Sequence, residues 1–281
     1  MRMAKARSRS VYKRLLRSKL SIAGLMIVFG LIIAGIFAPY LATQDPGEMV
    51  FESVYKSPSK EFLLGTDSLG RDLLSRIVWG ARTSLMVGIG ATFIALLIGV
   101  TFGGLAGFYG KTTSMLFMRL ADIQLSIPRL VLLIVAAAVI GERGIGIIVI
   151  IIGITMWPRL GRVTRSKVIE VKAMDYVEAA KALGVNDIRI IWRHILPNGF
   201  GPIVVITTLD IGAAIIAESS LSFLGLGDPR MVSWGNMLSS GLKDLTYAPW
   251  VAIFPGLAIF LTVWGLNMFG DAIRDAMDVE L

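Results

Sequence analysis

The chain has 281 residues, 55% of them hydrophobic and only 17% charged, with a mean hydropathy of +0.72. Average soluble domains hold roughly 45–50% apolar residues, and a soluble core does not absorb apolar runs as long as those found here. The net charge of +8 sits mainly in two basic blocks beside apolar runs, which reads as membrane topology rather than as a nucleic-acid surface. With no cysteine and a single histidine, His194, disulfides, thiolate metal sites and histidine clusters are excluded.

Residues 1–19 carry eight Lys/Arg and no acid, and are expected to form a basic cytoplasmic segment. Residues 20–38 are uncharged and apolar, predicting a first transmembrane helix. The run is longer than the roughly 7–15-residue core of a cleaved signal peptide, and Pro39-Tyr40 follows it instead of a small-residue cleavage site. Residues 39–83 are polar, with five Lys/Arg against six Asp/Glu, and are expected to be an external loop.

The second predicted span, residues 84–108, carries Ala91, Ala95, Gly99, Gly103 and Gly107, a small-residue stripe that lets a neighbouring backbone approach closely. Residues 130–140 are too short to cross alone, so the third helix is predicted to start near Met115. Asp122 and Arg129, seven residues apart, would then share one helix face. A charge at mid-bilayer costs roughly 2.5–3.5 kcal/mol, so both are expected to face protein or water. Gly141-Glu142-Arg143-Gly144 reads as a tight turn, and residues 145–160 as a short fourth span ending at Trp157-Pro158.

Residues 159–198 turn polar again, with eight Lys/Arg against four Asp/Glu. The fifth span, residues 201–224, holds Asp210 and Glu218, and the sixth is residues 250–269, with Pro255 inside. Asp122, Arg129, Asp210 and Glu218 are candidates for lining a translocation path, the alternative being pairing between helices. The predicted fold class is an all-α integral membrane protein of about six transmembrane helices, with residues 84–281 forming a five-helix core. Six spans put both termini and the 159–198 loop in the cytoplasm, and leave the 39–83 and 225–248 loops outside.

The 159–198 loop contains a helix–turn–helix pattern. Asp175 and Glu178 are spaced as a capping box. Tyr176, Ala179, Ala180 and Leu183 fall on one, mostly small, helix face. Gly184 is placed for a left-handed cap. Asp187 opens a second helix, whose Ile188, Ile191, Trp192 and Ile195 repeat the spacing, and Pro197 stops it. Three uses are open: DNA binding, which a tether between spans disfavours; a hairpin lying on anionic lipid; and a docking knob for a cytosolic partner.

Glu178-Ala179-Ala180, three residues, Gly184, nine residues, and a segment closing on Leu196-Pro197 resemble the coupling loop of ABC-importer permeases, with His194 where that family has Ile. Gly65-Thr66-Asp67-Ser68-Leu69-Gly70-Arg71-Asp72, Gly80-Ala81-Arg82-Thr83-Ser84-Leu85, Glu218 with Leu221 through Gly227, and Trp234 through Leu238 are similar to the C-type subunit of dipeptide/oligopeptide/nickel permeases. The resemblance implies that Tyr176, Glu178, Ala179, Ala180, Leu183 and Gly184 dock an ATPase. It implies as partners a second homologous permease, two ATPase subunits that bind ATP and Mg, and an external substrate-binding protein. The implied location is a prokaryotic inner membrane, with contact to lipid and none to nucleic acid. The cargo it implies is a peptide, with a nickel complex as the alternative. The chain itself is expected to bind no cofactor and catalyse nothing. Gly65-x4-Gly70-Arg71-Asp72 is a near miss to a phosphate loop, but Arg replaces the Lys and Asp72 stands where a Mg²⁺-binding hydroxyl belongs. The rivals are a secondary transporter or channel, whose inverted repeats are not evident, and a membrane scaffold or sensor.

Overall fold

The computed structural model of the chain describes residues 19–277, all helix and connecting segments, without a strand among them. The basic segment expected over residues 1–19 thus lies almost wholly outside the described residues, as do both termini. The helices are α1 (Lys19–Ile36), α2 (Ala38–Leu41), α3 (Leu73–Tyr109), α4 (Lys111–Ser126), α5 (Arg129–Ile140), α6 (Ile145–Lys172), α7 (Asp175–Ala182), α8 (Asp187–Ile190), α9 (Phe200–Phe223), α10 (Trp234–Leu242) and α11 (Trp250–Met277). α3, α6, α9 and α11 are each long and apolar enough to cross a bilayer; α1 is a shorter apolar helix. α4 and α5 meet that test only as a pair, bent by 94°. The six expected spans are compatible with α1, α3, the α4–α5 pair, α6, α9 and α11.

Three expectations about boundaries are corrected. The second span begins at Leu73, eleven residues early, because Asp72 caps it: its carboxylate accepts from the Ser75 amide at 2.8 Å and from Thr43 Oγ1 at 2.8 Å. The third span is not one helix. Pro128 pushes the preceding residue, Ile127, into extended geometry (φ −94°, ψ 130°), which ends α4, so Asp122 and Arg129 stand on different helices rather than on a shared face. The fourth span does not stop at Pro158. α6 runs through it to Lys172 and carries Arg159, Arg162 and Arg165 as helical residues.

The small-residue stripe of α3 is the seam to α6. A Cβ on Gly99 would lie 3.0 Å from Leu160 Cβ, one on Gly107 2.7 Å from Val168 Cβ, and one on Gly103 would meet the Gly161 carbonyl. Gly153 of α6 returns the fit, its would-be Cβ lying 2.9 Å from the Ala91 carbonyl oxygen. The backbones touch because no side chain separates them. α11 packs against α1 and α9, and α10 bridges α9 and α11.

The segment before α3 is a closed turn. Asp67 accepts from the amides of Leu69 (2.9 Å) and Arg71 (3.1 Å), and from Arg71 Nε at 2.7 Å. Gly70 has φ +71°, and a Cβ there would strike the Val50 carbonyl, so only glycine fits. Trp250 Nε1 donates to the Thr66 carbonyl at 3.1 Å, fastening the turn to α11. Within the Gly65–Asp72 motif, Asp67 is spent on closing the turn and one oxygen of Asp72 on capping α3.

Candidate docking loop and intramembrane charges

The loop between α6 and α9 is anchored from beneath. Val177, Ala180, Ile190, Ile191 and Ile195 bury into one cluster with Val168 and Val171 of α6 and Ile203 of α9. The second short helix widens at Ile191–Ile195, where the Leu196 amide reaches back five residues to the Ile191 carbonyl at 2.9 Å. This π-turn lets Ile190, Ile191 and Ile195 all point inward. At the end of α3, Lys172 Nζ donates to the Phe108 carbonyl, and the ammonium groups of Lys172 and Lys181 each lie 5.1 Å from the Phe108 ring centre. The loop is thus bolted to α3 as well as to α6.

Among the charged residues that face outward stand several large apolar ones. Leu183 is 84% exposed, Ile188 62% and Trp192 59%, with Met174 and Tyr176 beside them. Ala179 and Glu178 are exposed too, whereas Ala180 is only 9% exposed. The single small face expected from Tyr176, Ala179, Ala180 and Leu183 is therefore split. Ala180 belongs to the base with Val177, and Tyr176, Ala179 and Leu183 to the outer surface. The Ile188/Ile191/Trp192/Ile195 face divides likewise, Ile188 and Trp192 out, Ile191 and Ile195 in. Asp175 is the first helical residue rather than the cap; the cap position is Met174, whose carbonyl accepts from the Val177 amide at 2.8 Å and the Glu178 amide at 3.3 Å. Gly184 has φ +75°, the left-handed cap foreseen from its position.

The four charges that are candidates for a translocation path do not converge on one point. Asp122 on α4 pairs with Arg162 of α6 at 2.6 Å. Asp210 on α9 faces Arg159 of α6 at 3.7 Å, and Arg129 opens α5 with Nε and Nη2 buried and unbonded. Glu218 sits apart, near the other end of α9, where it accepts from Ser222 Oγ at 2.6 Å. It lines a small cleft with Thr83, Ser233 and Asp228. Burial pushes the Asp228 carboxyl up, but hydrogen bonds from the Arg230 amide and guanidinium outweigh it and hold that carboxyl below the usual range. No group of three metal-ligating side chains occurs among the described residues. Arg159 and Arg162 are not legible as bundle residues from the sequence, because Pro158 before them marks a helix end as readily as a helix that continues. Arg159, Arg162 and Arg165 recur every third residue, which in a continuing helix keeps them on one side.

The family model described as binding-protein-dependent transport system inner membrane component matches residues 99–280, and that described as the N-terminal TM domain of oligopeptide transport permease C matches residues 7–58. The chain is 43% identical to the dipeptide transport system permease protein DppC of Alkalihalophilus pseudofirmus, over 97% of this chain and 90% of that protein. It is 41% identical to the oligopeptide transport system permease protein OppC of Bacillus subtilis, over 94% and 87%. It is 40% identical to the glutathione transport system permease protein GsiD of Pectobacterium atrosepticum, over 97% and 91%. A solved structure of the MetNI methionine ABC transporter in inward-facing form shares the fold with TM-score 0.55 at 18% identity, over 71% of this chain and 95% of that one. Agreement of this extent, across the helical bundle and the segment that precedes it, has one meaning: the chain belongs to the binding-protein-dependent transport system inner membrane components.

Proposed function

We propose that the chain is one of two homologous permease subunits of an ABC importer for peptides, and that its α6–α9 loop is the element through which two separate ATPase subunits drive it. The chain is the membrane component of such a system, with hydrolysis carried by other subunits. An external substrate-binding protein delivers the cargo, and the loop side of the bundle is cytoplasmic. The observation that carries this reading is the two-sided loop: an apolar base fastened to α3, α6 and α9, and an exposed apolar surface of Tyr176, Leu183, Ile188 and Trp192. A solvent-facing patch of this kind, on a rigid base, suits a partner protein. The basic residues Lys181, Arg189 and Arg193 lie around it rather than in place of it.

Peptide cargo is supported by the relatives, whose names specify dipeptides, oligopeptides and glutathione, all of them peptides or peptide-like. The test is the reconstituted complex in liposomes. ATP-dependent accumulation of a short peptide, with Leu183→Asp abolishing both ATPase capture and uptake, is expected. Uptake that survives Leu183→Asp, or that proceeds down a gradient without ATP, would replace this reading with a channel or secondary transporter.

A further inference from the structure

The middle of the bundle holds buried charge that is incompletely matched. Asp210 is 4% exposed, yet its Oδ2 accepts nothing, and its Oδ1 stands 3.7 Å from Arg159 Nη1, beyond hydrogen-bond distance. Arg129 has the complementary deficit, with Nε and Nη2 buried and no acceptor. By contrast Arg162 and Asp122, one turn along, are closed at 2.6 Å, and Glu218 is satisfied by Ser222. Three guanidinia (Arg129, Arg159 and Arg162) face two carboxylates (Asp122 and Asp210), leaving one positive charge uncompensated.

The depth is equally telling. Asp210 lies near the middle of the apolar 24-residue α9, and packing brings to it Arg159, which closes the apolar first half of α6; Arg129 stands at the broken end of the 12-residue α5. The Arg159 side chain is 58% exposed. A guanidinium turned toward lipid at that depth is strongly disfavoured, so this side of α6 faces water or protein. The free end of α5, with unpaired amides at its first turn, adds further positive character beside Arg129.

We propose that Arg159 is a transient binding site for the carboxylate of the transported solute, with Asp210 as its resting counter-ion. The inference rests on the peptide-import reading and names a residue that acts on the cargo within it. An incoming carboxylate forms the paired hydrogen bonds with Arg159 that Asp210 does not. Asp210, released, closes on the waiting donors of Arg129. The carboxylate end of the cargo thus compensates the surplus positive charge locally and satisfies both orphaned groups. Because the resting Arg159–Asp210 contact is loose, the exchange has little to break, and cargo leaves again when Asp210 returns.

The experiment uses the complete transporter in liposomes, with the external binding protein saturated by tri-alanine or by its C-terminal amide, so that selection by that protein drops out. Arg159→Gln is expected to slow uptake of tri-alanine by roughly 10-fold, the loss of one charged contact, and uptake of the amide by less than about 2-fold. Arg159→Lys keeps the charge without the fork and is expected to fall between. Equal slowing of both peptides by Arg159→Gln would overturn the proposal. Should that variant fail to assemble, equal slowing by Arg159→Lys would do the same. A wild-type complex that takes up neither peptide defeats the import reading itself, and this inference with it.

Discussion

Ala179 and Ala180 adjoin in sequence and face opposite ways, one to solvent, the other into the Val177 cluster. Ala179→Trp is therefore expected to block ATPase capture in a pull-down while leaving the melting temperature of the detergent-solubilised chain unchanged. Ala180→Trp is expected to lower stability by about 1–3 kcal/mol through overpacking, and its loss of capture would follow from that. Gly184 separates conformation from space, since a Cβ there meets nothing within 4 Å and only its φ of +75° objects. Gly184→Val should cost roughly 1–3 kcal/mol and Gly184→Asn much less, because Asn tolerates left-handed geometry; thermal unfolding of both variants checks this. Glu178→Ala should cost under about 0.5 kcal/mol as an exposed substitution, so any release of the ATPase it causes reports the interface. Gly184 was legible in the sequence because a glycine after a periodic run has one common use. The inward turn of Ala180 was not, because alanines fit either side of a helix and leave no periodic trace.

At the scale of elements, α3 contains its own control. Gly103 abuts the Gly161 backbone, whereas a Cβ on adjacent Gly104 meets nothing within 4 Å. Gly103→Leu is expected to separate α3 from α6 and lower the yield of folded monomer on gel filtration, and Gly104→Leu to leave it unchanged. Equal behaviour of the two would mean the stripe is not the seam. The stripe was readable because small residues at every fourth position have a direct geometric meaning. The length of α6 was not, because Pro158 gives the same local signal whether a helix stops or continues past it with one amide missing. The break at Pro128 suffered the reverse error: hydropathy counts residues and does not see a 94° bend between α4 and α5.

Across the whole molecule, the all-helical class and the long apolar helices were legible from composition and charge, since the bilayer permits few alternatives, and six spans are compatible with them. The pairing of charges across helices was not, because Arg159 and Asp210 are 51 residues apart and meet only through packing of α6 on α9. Side assignment rests on charge bias and is open to direct test. In this cysteine-free chain, Ser57→Cys and Ser240→Cys are expected to react with an impermeant thiol reagent from outside intact cells, and Ser166→Cys only after permeabilisation. Labelling of Ser57→Cys and Ser166→Cys from the same face would break the six-span arrangement.

α3 runs 37 residues without a proline, about 55 Å from the capped turn at Asp72 to Phe108 in its lysine cage. Of the seven glycines that would be its soft points, Gly90, Gly99, Gly103 and Gly107 are closed against α6, Gly80 against Trp234 and Gly88 against α9, leaving Gly104 open. The pair therefore resists bending much as a laminated beam does, its weak points glued shut. A push applied at the Lys172–Lys181 end would meet few soft points along the way. On the coupling role proposed for the loop, it would arrive at the Gly65–Asp72 turn as displacement of that turn and of Trp250 fastened to it. Stroke at one face and response at the other are then ends of one stiff strut, and no relay of side-chain rearrangements is needed between them.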